Sequence, residues 1–160
     1  MIRPVKPGDA KDICGIYNHY VRETVISFEE IPVSIREMTE RITGISAKYP
    51  WFVMEEDAAL AGYAYLNAWR DRHAYRYAAE LSIYLKPGME GKGRGSQLMR
   101  ALLEGAGKNG FHALVSGITL PNERSVTLHE KFGFAQIARF NEIGFKQGRW
   151  LDVGYWELKL

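Results

Sequence analysis

Residues 79–105 read AELSIYLKPGMEGKGRGSQLMRALLEG, in which a segment typical of a β-strand runs into a glycine-rich loop and then a helical pattern. Side chains alternate between the two faces of a strand, so Glu80, Ser82 and Tyr84 share one face and the leucines and isoleucine share the other. The helical pattern predicts one buried face, formed by Leu98, Ala101, Leu102 and Gly105.

The loop from Glu90 to Ser96 has the composition of a phosphate-binding turn. Its three glycines remove side-chain atoms where a diphosphate approaches the backbone, and the N-terminus of the following helix adds roughly half a positive elementary charge. Lys92 and Arg94 can add their own positive charges. Glycine-rich turns are common before helices, so the loop alone also fits a flexible turn without a ligand.

The spacing of the loop disagrees with two other nucleotide-binding motifs. A mononucleotide P-loop requires Gly-x4-Gly-Lys followed by Ser or Thr, whereas Gly93 follows Lys92, and Lys86 occupies the place of the first glycine. A dinucleotide-binding fingerprint has the pattern G-x-G-x-x-G in the first βαβ unit. This loop has the pattern G-x-G-x-G and lies past the midpoint of the chain.

Hydrophobic periodicity predicts the elements around this loop. Ser34 followed by Glu37 forms a capping box, which predicts a helix there with Ile35, Met38, Ile42 and Ile45 facing inward. The predicted order is a strand at 2–5, helices at 9–23 and 34–49, strands at 51–55, 60–69 and 79–85, a helix at 95–109, a strand at 113–119, a helix at 125–132, and strands at 134–143 and 153–160. We therefore expect an α/β (α+β) fold with a mixed, mostly antiparallel, twisted sheet flanked by helices.

Composition narrows the class of protein. The chain has 160 residues, 46% of them hydrophobic, and shows no repeat or linker, so we expect a single domain spanning residues 1–160. Its 21 Lys plus Arg nearly balance 19 Asp plus Glu, which gives no indication of a nucleic-acid partner. No apolar run is long enough for a membrane span, and the lone Cys14 fits a reducing compartment. We expect a cytoplasmic protein without membrane association, and no residue spacing suggests a metal site.

The glycine loop resembles the acetyl-CoA pyrophosphate loop of the GNAT N-acetyltransferase superfamily, whose pattern is Gln or Arg, two residues, Gly, one residue, then Gly or Ala. Here it reads Glu90-x-x-Gly93-x-Gly95, with Glu in place of Gln or Arg. The resemblance covers nearly the whole chain. Within the superfamily, the chain is most similar to the phosphinothricin and methionine sulfoximine acetyltransferase branch. The segments that carry it are 49–51, 69–75, Glu80 before 82–85, 120–122, 125–129 with Gly133-Phe134, and 148–153.

This resemblance implies a GNAT-like fold and acetyl-CoA as co-substrate, without a metal. The second cofactor motif of the family is similar to Asn122 followed by His129, and the family pairs its pantetheine arm with the strand before the loop. The implied acetyl-CoA contacts are Ile83, Tyr84, Leu85, Lys92, Gly93, Arg94, Gly95, Ser96 and Asn122.

The same resemblance implies the catalytic residues. Glu80 corresponds to the general base of the branch, a role that requires burial to raise its pKa toward neutrality. The residues alone leave open an ion-paired or surface carboxylate. His129 stands where many superfamily members carry a catalytic Tyr, and imidazole can exchange protons near neutral pH. The open alternative is a histidine that packs beside Leu128 and Phe132.

The implied acceptor is a small amino-acid-like amine, such as methionine sulfoximine, methionine sulfone or phosphinothricin. Arg70 and Arg72 can bind its carboxylate or phosphinate, although either can instead be a solvated loop charge. Tyr75 lies in the same loop, and Phe28 and Glu29 resemble the segment of the branch that covers the substrate.

Two other functions are weighed against this one. Acetylation of a protein N-terminus or lysine would favour an acidic acceptor groove, which Arg70 and Arg72 oppose. A non-catalytic acyl-CoA-binding module would lack the acid–base pair, whereas Glu80 and His129 are both present. Finally, the resemblance implies a homodimer in which the C-terminal strands take part.

Overall fold

The computed structural model describes residues 1–160, whose strands form one seven-stranded sheet with helices on both faces. Short 3-10 turns occur at Pro7–Asp9 and His73–Tyr75. The elements are β1 (Ile2–Pro4), α1 (Ala10–Glu23), α2 (Ile35–Ser46), β2 (Trp51–Glu56), β3 (Ala59–Ala68), β4 (Ala78–Leu85), α3 (Arg94–Lys108), β5 (Ala113–Leu120), α4 (Glu123–Lys131), β6 (Ala135–Lys146) and β7 (Arg149–Lys159).

The strand order is β1-β2-β3-β4-β5-β7-β6, and every neighbouring pair is antiparallel except β4 and β5. This confirms the predicted mixed, mostly antiparallel α/β sheet. The parallel pair has only three partner positions, from Ala78–Ala113 to Glu80–Val115. Beyond Glu80 the two strands separate, which creates the gap in which the functional residues gather.

The two faces of the sheet bury separate cores. Helices α1 and α2 cover one face, where Ile13, Ile42 and Tyr63 are almost fully buried. Helix α3 covers the other with Leu98 and Leu102, as predicted. Gly105 is required on this helix because a Cβ there would lie about 3.0 Å from the ring of Phe52. No helix is both long and apolar enough to cross a membrane.

The N-terminus of α2 shows one half of the predicted capping box, since Ser34 Oγ accepts a hydrogen bond from the Glu37 N–H at 3.1 Å. The other half is absent, because the Glu37 carboxylate accepts a hydrogen bond from Arg41 Nη2 at 2.6 Å. Met38 and Ile42 are buried as expected. The inward orientation predicted for Ile35 is wrong, because its side chain is 52% exposed. Ile35 lies in the first turn of the helix, about 60° around the axis from Met38, at the margin of the apolar stripe.

The C-terminal hairpin extends further than the apolar pattern predicted, since β6 and β7 meet at a turn at Gln147–Gly148. Both turn residues have positive φ, 53° and 72°, as a tight hairpin turn requires. Strand β6 is the sheet edge and is mostly exposed, with register shifts at 136–138 and 140–144. These irregularities explain why alternation failed to mark its full length.

We expect Gly62→Ala to lower the free energy of unfolding by about 1–3 kcal/mol. A Cβ on Gly62 would lie 2.7 Å from both the Tyr84 carbonyl oxygen and Leu85 Cδ2, which would push β3 away from β4. The control is Gly107→Ala, because a Cβ there meets open space in α3 and alanine favours a helix by up to about 1 kcal/mol. Urea unfolding measures both, and equal stability of the two variants would contradict this account.

Candidate active site

The separation of β4 from β5 opens a cleft of about 900 Å³. Strand β4 forms one wall with residues 81–85, and β5 forms the opposite wall with residues 116–119. The glycine loop closes one end, and α4 contributes Asn122 and His129. The structure therefore brings together segments that are far apart in the chain.

The glycine loop turns through three consecutive left-handed residues, with φ of 80° at Gly91, 50° at Lys92 and 75° at Gly93. A Cβ at Gly91 or Gly93 would meet only open space, so glycine is needed there for its backbone conformation. Gly93 is the N-cap of α3 and offers no side-chain hydrogen bond to the helix. The first-turn N–H groups, including those of Gly95 and Ser96, consequently lack partners within the helix and are free to bind an anion.

Lys131 contributes a positive charge at this loop and was not identified as a site residue from the sequence. Lys131 Nζ on α4 lies 3.3 Å from Ser96 Oγ, and both residues line the cleft. Arg94 is engaged elsewhere, because its Nε donates to Glu56 Oε1 at 2.8 Å and its Nη1 donates to the Met89 carbonyl oxygen. The contact between Lys131 and Ser96 spans 35 residues, which explains why local patterns did not predict it.

The wall formed by β4 contains Ile83, Tyr84 and Leu85, as the sequence predicted. Because β5 has separated from it, this edge of β4 has no strand partner, and its free backbone groups can pair with an extended ligand. The Tyr20 hydroxyl donates a hydrogen bond to the Leu85 carbonyl oxygen at 2.6 Å, which anchors the end of the strand. Tyr20 was not identified from the sequence.

Glu80 lies at the vertex of the fork, as the last β4 residue paired with β5. The carboxylate is partly buried and has no salt-bridge or hydrogen-bond partner, and Oε1 lies 3.7 Å from the position of a Cβ on Gly117. Burial raises the pKa of Glu80, and the nearby positive charge of Arg70 opposes that shift. A carboxylate with a raised pKa and no partner has the properties of a general base.

His129 is 4% exposed and makes an edge contact with the Phe134 ring. Its Nδ1 lies 2.7 Å from the Ser125 carbonyl oxygen. A carbonyl oxygen only accepts, so Nδ1 carries the proton of the neutral ring and Nε2 carries a lone pair. Nε2 is buried without a partner. Burial lowers the pKa of His129, and the hydrogen bond to Ser125 offsets part of that shift. Because the pKa is lowered, the ring is neutral near pH 7.

Asn122 caps α4 through its side-chain oxygen, which accepts a hydrogen bond from the Ser125 N–H at 3.2 Å. The residue lines the cleft, and its amide nitrogen has no partner. Asn122 can therefore order α4 and still donate a hydrogen bond to a ligand in the cleft.

The predicted acceptor residues are only partly gathered around Glu80. The Arg70 guanidinium stacks over the Trp69 ring at 4.6 Å and is close enough to affect the pKa of Glu80. Arg72 and Tyr75 are exposed and form no hydrogen bond or salt bridge with Glu80. On the α1–α2 loop, Phe28 packs against Gly144, and Glu29 is held by a two-point ion pair with Arg41 at 2.7 and 3.2 Å.

No group of three or more His, Cys, Asp or Glu side chains is arranged to hold a metal ion.

Sequence comparison identifies the family. The sequence model of the GNAT acetyltransferase domain matches residues 2–154. The phosphinothricin N-acetyltransferase of Streptomyces viridochromogenes is 35% identical over 98% of this chain and 85% of its own length. The methionine sulfoximine/methionine sulfone acetyltransferase of Salmonella typhimurium is 35% identical over 99% of this chain and 94% of its own. The chain therefore belongs to the GNAT acetyltransferase family, as the sequence motifs indicated, and is an N-acetyltransferase.

Solved structures agree with this assignment. An acetyltransferase structure from Salmonella typhimurium, solved with acetyl-CoA, is 34% identical to this chain and superposes on it with a TM-score of 0.98. The match covers 100% of this chain and 93% of the other chain. A phosphinothricin acetyltransferase from Sinorhizobium meliloti, in complex with acetyl-CoA, is 36% identical with a TM-score of 0.96. This match covers 100% of this chain and 88% of the other chain. Both confirm the GNAT fold.

We expect NMR of uniformly ¹⁵N-labelled protein to find His129 protonated on Nδ1 and unprotonated on Nε2 at pH 7. Because burial lowers its pKa below the ordinary 6.5, His129 contributes stability fully above about pH 6.5, and that contribution is lost as pH falls through the folded-state pKa. The His129→Asn variant assigns the signals. Titration at pH 6.5, or an Nε2-protonated tautomer, would contradict this geometry.

Proposed function

We propose that this chain transfers the acetyl group of acetyl-CoA directly to the amine of a small amino-acid-like acceptor, of the methionine sulfoximine, methionine sulfone or phosphinothricin type, with Glu80 as general base. The observation that carries the proposal is the fork between β4 and β5, which has an anion-binding loop at one end and a partly buried, unpaired carboxylate at its vertex. The phosphinothricin and methionine sulfoximine/methionine sulfone acetyltransferases among the relatives support this substrate class.

In this proposal the diphosphate of acetyl-CoA binds the backbone N–H groups at residues 92–96. The charge of Lys131 supplements the α3 N-terminus. The pantetheine arm then pairs with the free edge of β4 at residues 83–85, as an added strand would. Acetyl-CoA supplies the thioester whose acetyl group is transferred. Two structural relatives are complexes with acetyl-CoA, which supports acetyl-CoA as the ligand of this cleft.

Glu80 takes one proton from the acceptor ammonium, because only the neutral amine carries the lone pair needed for attack. The amine nitrogen forms a bond to the acetyl carbonyl carbon while the bond from that carbon to sulfur breaks. The nitrogen loses its second proton as this bond breaks, and the departing thiolate takes up one proton to leave as the CoA thiol. The proton held by Glu80 then passes to solvent, so that charges and atoms balance. The raised pKa of Glu80 makes it a stronger base toward the acceptor ammonium than an exposed carboxylate.

We assign His129 the role of a hydrogen-bond acceptor in the cleft. Its Nδ1–H is used by the Ser125 carbonyl, so only Nε2 is free, and in the neutral ring this atom accepts and does not donate. Protonation of the thiolate by His129 would first require a buried imidazolium, which burial disfavours. Neutral Nε2 can accept one hydrogen bond from the cofactor arm, and because Nε2 is buried the side chains that cover it must move slightly to admit the donor.

The acceptor is proposed to approach Glu80 from the face that carries Arg70. The guanidinium of Arg70, supported by the Trp69 ring, can bind the acceptor carboxylate. Arg72 and Tyr75 are exposed in the adjoining loop. We place Phe28 and Glu29 of the α1–α2 loop at the border of the acceptor site by their resemblance to the substrate-covering segment of the branch. The lone, buried Cys14 fits a reducing compartment, and we therefore assign the reaction to the cytoplasm.

Acetylation of a protein N-terminus is the second candidate. A ribosomal-protein-alanine N-acetyltransferase from Brucella melitensis is 29% identical, with a TM-score of 0.97. The closeness of that fold keeps a peptide amine among the acceptors to be tested, as an alternative to the small amino-acid-like amines.

We expect the chain to release thiol from acetyl-CoA with at least one of the three named acceptors, and Glu80→Gln to lower kcat/KM about 100-fold or more. Glu80 acts as a base only when ionised. The wild-type kcat/KM should therefore fall as the pH drops through the raised pKa of Glu80, and the variant should lack that dependence. Glu104→Gln, which changes an exposed carboxylate on α3, is the matched control and should retain full activity.

Other outcomes separate the alternatives. Thiol release only with peptides would favour N-terminal acetylation. Calorimetric binding of acetyl-CoA without thiol release for any amine would favour a non-catalytic module. Full activity of Glu80→Gln would remove its proposed role, and no heat of association with acetyl-CoA would overturn the whole proposal.

We also propose that the chain forms a homodimer through the C-terminal hairpin. Strand β6 is an unpartnered sheet edge, and the hairpin exposes large apolar side chains. We call this set the hairpin patch, and it consists of Ile137, Phe140, Ile143, Phe145 and Trp150, each about half exposed or more. A second copy of the chain can cover the patch by applying the same surface to it.

We expect light scattering to give a dimer mass for the wild type and a monomer mass for a variant that combines Ile143→Lys and Trp150→Lys. Two buried charges in an apolar interface would oppose association. Ile31→Lys is the control, because Ile31 is 82% exposed outside the hairpin patch and should leave the mass unchanged. A wild-type monomer at micromolar concentration would contradict the dimer.

A further inference from the structure

Lys146, at the C-terminal end of β6, is only 3% exposed. Burying an ammonium group costs free energy unless it is paired, and burial lowers the pKa of Lys146 while Glu29 and Glu30 oppose that shift. Its Nζ donates a hydrogen bond to the Ser27 carbonyl oxygen at 2.6 Å, across 119 residues of chain. The catalytic proposal above does not use this buried cation.

The acceptor of that hydrogen bond lies in the α1–α2 loop, residues 24–34, which contains no helix or strand. A segment without its own hydrogen-bond ladder needs outside contacts to keep one conformation. Ser27 is itself buried, and its Oγ lies 2.9 Å from the Tyr17 hydroxyl. Lys146 therefore binds this loop at its most deeply buried residue.

The same end of the hairpin contacts the loop at two further points. Gln147 Nε2 lies 3.4 Å from the Arg22 carbonyl oxygen and 3.5 Å from that of Thr24. Gly144 lies against the Phe28 ring so closely that any Cβ there would overlap the ring. Lys146, Gln147 and Gly144 thus contact the end of α1 and the first residues of the loop, from Arg22 to Phe28.

The residues on either side of Ser27 are both partly exposed, Ile26 at 43% and Phe28 at 44%. Ile26 lines the cleft, and the Phe28 ring packs against Gly144. We propose that Lys146 is a positioning residue for acceptor binding, which holds the Ser27 carbonyl so that Ile26 and Phe28 form the wall that the acceptor amine contacts. This inference rests on the proposed function, since it assigns a specificity role at the same site.

A purely structural role does not explain a lysine at this place. Methionine has a stem of similar length and would fill the same volume without the cost of burying a charge. What lysine adds is a directed, charge-assisted hydrogen bond to one chosen carbonyl. That bond selects a conformation of the loop, and the conformation decides which acceptors fit.

Lys146→Met tests this proposal by steady-state kinetics. We expect the KM for the acceptor to rise about tenfold, since loss of one charge-assisted hydrogen bond shifts a binding equilibrium by roughly that factor. The kcat should stay within about twofold, and the calorimetric Kd for acetyl-CoA should not change. Lys146→Arg, which keeps a donor, should recover part of the acceptor KM. Lys108→Met makes the same chemical change at an exposed lysine of α3 and should have no effect.

Two further measurements keep the test decisive. Gly144→Ala displaces the Phe28 ring without changing any charge, and it should also raise the acceptor KM while leaving acetyl-CoA binding unchanged. Hydrogen exchange of residues 24–33 should become faster in Lys146→Met, and this readout does not depend on turnover.

The proposal is overturned if Lys146→Met leaves both the acceptor KM and the exchange of residues 24–33 unchanged. It is also overturned if kcat, acceptor KM and acetyl-CoA affinity all worsen together with the melting temperature, because that pattern indicates general destabilisation. If the wild type acetylates no amine, the proposed function fails by itself, and unchanged hydrogen exchange would then separately reject the contact between Lys146 and the loop.

Discussion

The site depends on the separation of β4 from β5, which form no backbone hydrogen bonds with each other beyond Glu80 and Val115. Each strand keeps its outer partner after the separation, β4 with β3 as far as Leu85 and β5 with β7 as far as Leu120. Both inner edges are therefore held open by the sheet itself. Free backbone groups at such edges need partners, and an extended ligand can supply them. The cleft is a consequence of sheet topology.

Burial acts on the two titratable groups of the site in opposite directions. It raises the pKa of Glu80 and lowers the pKa of His129, because in both cases a low-polarity environment disfavours the charged form. The two residues lie on different elements, β4 and α4. One physical cause thus provides a carboxylate that can accept a proton and an imidazole that remains neutral.

The C-terminal hairpin is involved in two parts of the proposed function. Its exposed side carries the apolar hairpin patch, and its far end contacts the α1–α2 loop through Lys146, Gln147 and Gly144. Association of two chains through the patch would therefore take place on the same element that holds the wall of the acceptor site. Rigid β-structure carries such a connection better than a loop, because its backbone hydrogen bonds resist local change.

The sequence alone predicted the order of the elements, the cap at Ser34, the buried face of α3 and the glycine loop, because these depend on neighbours within a few residues. Family motifs also led from the sequence to Glu80 and His129. Only the tertiary structure revealed the fork beside Glu80, the free Nε2 of His129, Lys131 at the phosphate loop and Lys146 beneath the α1–α2 loop. Those contacts join residues that are distant in the chain. Local spacing cannot predict them, because the partner of each residue is determined only when the sheet has formed.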